Sequence, residues 1–396
     1  MSRFRGVWAA PHVRALLLSS FVARLPYGMN ALALVLFVHE QTGSFARAGI
    51  VSAASALFAG IGLPIMGRVV DRVGQTRVLV LTAVVDVAAV AGVIALGLAD
   101  APTGAMVAVA AVAGFFVPPV SPCLRGLWSE LLPGEEHLRS ALALDAILLE
   151  TIFIGGPVLT AGLVAVASPA VALAVGASLM VLGTLAFAAA PVSRTWRGSS
   201  RTGGWLGPLR SRGLRTLMVS SALLGFPIGV LDVALPAFGV EQGSRSLGGV
   251  FIAAMAAGSL VGGLWYGARA HGGVVRMYVV LSALFPVGLF LLLLPSSVVA
   301  MLVVAPLAGM VWAPLTTAEN ELAGAVAPAG TVTEAYAWLI TGVIGGLAVG
   351  TSVAGVVVDE TGWREAVLLG AACSVAGAVF AFARRRTLGP LAVPLS

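Results

Sequence analysis

The chain has 396 residues, of which 59% are hydrophobic and only 10% charged, and its mean hydropathy is +1.02. A soluble globular domain carries about 25% charged residues because its surface faces water, so these figures exclude that class and set most of the surface against lipid. The net charge of +6 does not point to nucleic acid, because all 23 basic residues are Arg and fall mainly between apolar runs.

Spanning a hydrocarbon core takes roughly 20 apolar residues per helix. Runs of that size occur at 15–38, 47–67, 77–98, 103–124, 141–167, 170–190, 214–238, 247–267, 277–295, 298–317, 333–357 and 366–383. They predict an all-α membrane protein with twelve spans, numbered here in chain order. The first run reads as a retained span and not as a cleavable signal, because it is long, contains Arg24 and lacks a small-residue cleavage site. Cys123 and Cys373 lie inside apolar runs and read as packing residues, with no disulfide framework and no metal site.

Between spans 6 and 7, the stretch from Pro191 to Arg215 carries six Arg among Gly, Ser and Thr, which no bilayer core accepts. It divides the chain into a six-helix bundle over 1–190, an Arg-rich linker over 191–213, and a second six-helix bundle over 214–396. With the N-terminus in the cytoplasm, nineteen Arg lie inside and three outside (Arg47, Arg245 and Arg364). This bias places both termini and the linker on the cytoplasmic side, where the linker can meet anionic headgroups.

The halves repeat each other. Leu25-Pro26-Tyr27-Gly28 in span 1 matches Phe226-Pro227-Ile228-Gly229 in span 7, and Gly49, Gly62 and Gly67 of span 2 recur as Gly249, Gly262 and Gly267 of span 8. Pro119 of span 4 recurs as Pro314 of span 10, and Gly155-Gly156 of span 5 as Gly345-Gly346 of span 11. Single matches are cheap in an Ala/Gly-rich chain; a slowly drifting offset in register with the span order is not. Two like halves are the architecture in which transporters place a midplane site and rock around it.

The loop between spans 2 and 3 reads Gly67-Arg-Val-Val-Asp71-Arg72-Val-Gly74-Gln-Thr-Arg77. It resembles the GxxxDRxGxxR signature of the major facilitator superfamily, at the same place in the helix order. With the six-plus-six layout the resemblance covers essentially the whole chain. It implies a fold of two pseudo-symmetric six-helix bundles, and the type of the bacterial efflux members working as monomers. The second copy, Gly267-Ala-Arg269-Ala-His271, lacks the acid.

Within the signature, Gly67 is expected to let span 2 approach a neighbour closely and Gly74 to permit a tight turn. Asp71 is expected against the first turn of span 11, where Thr331-Val-Thr-Glu334 has capping-box spacing. Arg125 then completes a charge cluster that holds the cytoplasmic side shut. The competing reading is that Arg68, Arg72 and Arg77 only enforce topology.

Five ionisable groups fall within spans: Arg24 (span 1), Asp86 (span 3), Asp145 and Glu150 (span 5) and Asp232 (span 7). Burying one costs roughly 2.5–3.5 kcal/mol on the lenient insertion scale, so each is a candidate for proton coupling or another function. Arg24 and Glu150 each lie about ten residues into their spans, roughly 15 Å deep, and the resemblance implies that these spans are neighbours. An Arg24–Glu150 pair is therefore expected, either as a proton-coupling site or as a structural ion pair. Asp145, nearer the cytoplasmic end, can snorkel. Asp86 is expected in a structural role or in polar contact with span 1. Asp232 suits a cationic substrate group, a second proton or an outer gate.

Uncharged cavity candidates are Tyr27, Asn30, Pro118, Pro119 and Trp312, with packing or an interfacial belt as the competing reading for the aromatics. Pro26, Pro118, Pro227 and Pro314 are expected to break spans 1, 4, 7 and 10. Two features of drug–proton antiporters are weak here: span 4 has no mid-span Arg, and span 5 offers only Gly156-Pro157-Val-Leu-Thr-Ala-Gly162 for the GPxxGG-type element.

The sequence thus predicts a secondary active transporter of the cell (inner) membrane, with no catalytic residues, metal or cofactor and a proton gradient as driving force. Its expected partners are a small-molecule substrate and the lipid bilayer. Export of a small amphipathic molecule is the leading expectation. Uptake of a sugar or other metabolite, lipid translocation, and a non-transporting receptor or scaffold are the alternatives.

Overall fold

A computed structural model of the chain describes residues 13–131, 135–196, 208–268, 273–328 and 332–389; the side chains of 129, 130, 135–140, 142, 143, 146, 150, 208 and 332–334 are excepted. Most of the linker, residues 197–207, falls outside this set. Among the described residues there is no strand, and twelve helical spans are long and apolar enough to cross a membrane. They are Val13–Thr42, Phe45–Val73, Gln75–Leu98, Thr103–Trp128, Ile147–Val166 and Pro169–Ala189, then Arg212–Glu241, Leu247–Gly267, Val274–Leu291, Val298–Val326, Ala335–Glu360 and Trp363–Leu388. Local chemistry sets several ends. Ser168, Ser211 and Ser297 each accept a hydrogen bond from the backbone N–H three residues on, which starts spans 6, 7 and 10. Gly43 at φ 66° closes span 1, a conformation that needs no Cβ.

The chain forms two compact units, Met1–Gly43 with Leu57–Arg201, and Ser44–Ala56 with Thr202–Ser396. In the first, span 1 packs on spans 5 and 6, and span 3 on spans 4 and 6. In the second, span 7 packs on spans 11 and 12, and span 9 on spans 10 and 12. The neighbour patterns are the same once six is added to each span number.

The repeated glycines mark the crossings. A Cβ on Gly28 would strike the Ile152 carbonyl of span 5, and one on Gly229 would strike the Leu347 carbonyl of span 11. Likewise Gly62 lies against the Phe115 carbonyl of span 4, and Gly262 against the Met310 carbonyl of span 10. Without a hydrophobic drive between helices in lipid, such backbone-to-backbone packing is a main source of association.

The first turns of span 2 belong with the second unit. There Asp359, at the end of span 11, accepts hydrogen bonds from Ser44 Oγ at 2.6 Å and from the backbone N–H groups of Phe45 and Ala46 at 2.8 and 2.9 Å. These are the orphan donors of the span 2 N-terminus, so a carboxylate caps the helix where its dipole favours negative charge.

Three spans are interrupted. Span 1 divides at Leu25, span 4 between Phe115 and Val120, and span 10 between Gly309 and Trp312. Pro26 opens the second piece of span 1, and Pro118 and Pro119 lie in the gap of span 4, as a ring without an N–H dictates. In span 10 the interruption comes before Pro314. Span 7 departs from expectation: Pro227 sits inside an unbroken helix, Arg212–Glu241. Close packing of Gly225 and Gly229 on span 11 accompanies that continuity, and transmembrane helices tolerate proline where neighbours support them.

Candidate functional site

Arg24 ends the first piece of span 1 and is fully buried. Its Nε donates to the Ser20 carbonyl at 3.1 Å and its Nη2 to Ser20 Oγ at 3.2 Å, so the side chain reaches back one turn. From there Nη1 pairs with Asp145 Oδ1 at 2.5 Å. The other oxygen, Oδ2, accepts from Arg125 Nε at 3.2 Å. One carboxylate, 1% exposed, therefore bridges two guanidiniums, the first fully buried and the second 52% exposed.

This arrangement differs from the expected Arg24–Glu150 pair. Helical side chains lean toward their N-terminus, and Arg24 leans a full turn, so its head meets the acid nearer the start of span 5. The side chain of Glu150 lies outside the described residues. Asp145 does not snorkel; it is buried between its two cations. Arg125, assigned from sequence to a cluster with Asp71, is bonded to Asp145 instead.

Tyr27 and Pro118 are brought together. The Tyr27 hydroxyl donates to the Pro118 carbonyl at 2.9 Å, satisfying an acceptor that the interruption of span 4 releases. Pro119 is buried beside it, and its carbonyl accepts from Cys123 N. Asn30, one turn beyond Tyr27, is half-buried, lies against Gly176 of span 6, and is hydrogen-bonded to no described residue. In the second unit, Trp312 stands at the interruption of span 10, half-buried, its ring 5.6 Å from that of Phe285. The next N–H, of Ala313, donates to Ser259 of span 8 at 3.2 Å. At spans 4 and 10, then, a neighbouring span supplies a hydrogen-bond partner at the interruption.

Asp86 is 2% exposed, its Oδ2 has no hydrogen-bond partner among the described residues, and it lies within electrostatic reach of Tyr27 on span 1. Asp232 is half-buried and bonded to no described residue.

At the signature loop, Asp71, Arg72 and Arg77 are exposed, and Gly74 adopts φ 90° in the turn, as expected. At Gly67 a Cβ would meet no described atom within 4 Å, and the first turn of span 11 expected beside this loop lies largely outside the described residues. Thr331 and the Glu334 side chain lie outside the described residues. The loop contains a group not singled out from sequence. Gln75 is fully buried; its Nε2 donates to the Cys123 carbonyl at 3.1 Å and its Oε1 accepts from Ser193 Oγ at 3.1 Å. It ties span 3 to span 4 and to the short helix Pro191–Thr195.

A second missed group is Glu319, 4% exposed in span 10. Its Oε1 accepts from Ser221 Oγ at 2.6 Å and lies 3.4 Å from the Tyr278 hydroxyl, which also donates to Ser220 Oγ at 2.6 Å. The apolar run of span 10 stops near 317, yet its helix continues to Val326 with Leu315, Ala318, Glu319, Leu322, Ala323 and Val326 on the buried face. That helical periodicity was the available signal.

The sequence matches the family profile described as Major Facilitator Superfamily over residues 16–333. No curated protein matches it by sequence. Among solved structures, it is similar to the nucleoside transporter NupG at 16% identity and TM-score 0.71, covering 93% of this chain and 98% of that one. A POT family transporter in complex with 5-aminolevulinic acid gives 12% and 0.75, with 96% and 97% covered. A bacterial homologue of the human lysosomal transporter Spinster, inward-facing and unoccupied, gives 14% and 0.73, with 95% and 97% covered. At such identities the likeness is one of fold.

Proposed function

Because the chain belongs to the Major Facilitator Superfamily, a family of membrane transporters, we propose that it is a proton-coupled secondary transporter that exports a small amphipathic molecule. The observation that carries this reading is the pairing of interrupted spans with isolated polar groups on an apolar background. Asn30 offers an amide with no hydrogen-bond partner among the described residues one turn beyond the Tyr27–Pro118 bond, and Trp312 offers a ring face at the interruption of span 10. Few, well-placed polar groups among apolar ones suit a ligand that is largely apolar itself. Asp232, half-buried and paired with no described residue, favours a substrate with a positive charge, which an aromatic face such as Trp312 also attracts. The Arg distribution assigns both termini to the cytoplasmic face of the cell membrane, which reporter fusions at either end check.

Reconstitution tests the reading. Proteoliposomes with an internal pH indicator are challenged with amphipathic cations, sugars and nucleosides. Proton movement opposite to an amphipathic cation is the expected result. Protons moving together with a sugar or nucleoside would replace export by uptake, and no solute-linked flux with any of them would sink transport itself.

A further inference from the structure

The Glu319 cluster is built from three spans. Span 10 supplies Glu319, span 9 supplies Tyr278 and span 7 supplies Ser220 and Ser221. The exposures of these four side chains are 4, 0, 1 and 0%. An organic substrate has no way to reach such a cluster, and only the smallest of ligands fits it.

The other groups facing Glu319 are accounted for. Spans 7, 8, 9 and 11 pack on this stretch of span 10. Span 8 brings Tyr266 near Glu321, and span 11 brings Tyr336 beside Gly324. The charged groups of these spans, Arg212, Arg215, Asp232, Arg276, Asp359 and Glu360, make no bond to Glu319 among the described residues. Neither these groups nor Glu241 of span 7 bonds to it, so among the described residues Glu319 has no compensating cation and has hydroxyl partners alone.

Hydroxyls differ from guanidiniums in one decisive respect. A guanidinium only donates, so it fits only the ionised form of an acid; a hydroxyl donates or accepts by rotating its hydrogen. With Glu319 ionised, Ser221 and Tyr278 donate to it. With Glu319 protonated, its own O–H donates to a neighbouring hydroxyl oxygen, and the Tyr278 hydrogen rotates to Ser220. No heavy atom has to move between the two states, and each leaves the polar atoms paired.

We propose that the Glu319–Tyr278–Ser220–Ser221 cluster is a proton-binding site of the second unit, which takes up and releases the coupling proton at the Glu319 carboxyl. The assignment deepens the transport reading and rests on it for the word coupling; proton binding itself does not. A proton adds to one carboxylate oxygen and leaves from it, with no other bond changed.

Binding is read without any substrate. The full chain in nanodiscs is titrated with acid while the infrared carbonyl stretch of protonated carboxyls is followed. A titrating band that is lost in Glu319→Gln and kept in Asp86→Asn and Asp232→Asn is the expected result. Tyr278→Phe should keep the band and shift its midpoint by about half to one pH unit, the worth of one hydrogen bond. Identical titrations in wild type and Glu319→Gln would overturn the proposal, as would loss of the band on adding sodium at constant pH, which would give the site to that cation. In proteoliposomes, Glu319→Gln should retain solute exchange and lose its pH dependence. A band that titrates beside a complete lack of solute-linked proton flux would instead leave the site standing and remove the coupling.

Discussion

Asp145 and Glu319 are both carboxylates withdrawn into helical spans, and their surroundings are near relatives. Ser20, which orients Arg24 toward Asp145, and Ser221, which bonds Glu319, are equivalent positions of the two halves at the offset of 201. The first unit surrounds its acid with two cations, which only donate hydrogen bonds. The second surrounds its acid with hydroxyls, which donate or accept. The first acid is a strut between charged partners while the second sits among hydroxyls, and the difference lies in whether the partners can accept a hydrogen bond.

Substitutions sharpen or break that contrast. The largest effect is expected for Asp145→Ala, which strands the buried Arg24 guanidinium and should cost about 3–5 kcal/mol of stability, read as thermal unfolding in detergent. Adding Arg24→Met should recover most of the loss; a double variant as unstable as the single one would refute the strut. Tyr27→Phe removes the donor to the Pro118 carbonyl and should cost about 1 kcal/mol in the same assay. Arg125→Ala touches only the exposed arm of the pair and should cost less than about 1 kcal/mol. Least of all, Glu319→Gln should alter stability by less than about 0.5 kcal/mol, because the amide oxygen still accepts from Ser221 and Tyr278. Were Glu319→Gln as damaging as Asp145→Ala, both acids would be structural and the contrast would vanish.

The number and order of spans, the doubled architecture and the signature turn were legible in the sequence because each rests on many residues or on a backbone rule. The repeated glycines were visible as matches, and their reason is the carbonyl facing each one across a helix crossing. Partners of single side chains were less legible. Equal depth pointed Arg24 to Glu150, but the lean of a helical side chain carries the guanidinium a turn back, to Asp145. Glu319 escaped because hydropathy falls near 317, where the helix keeps its buried face while its other face turns polar. Pro26 and Pro227 are equivalent in sequence, yet only the first interrupts its helix, since proline removes one hydrogen bond and the neighbours decide the rest.

Span 2 is a helix of 29 residues, about 43 Å long at 1.5 Å per residue. Its first turn is gripped by Asp359, and its last turn carries Asp71 and Arg72. Such a rod is a lever with a pinned end. A tilt that starts at the pin arrives at the far loop enlarged by the length of the shaft, and Pro64 is the joint at which part of it can be absorbed. The hydrogen bonds from Ser44, Phe45 and Ala46 to Asp359 thus fix the first turn of that rod.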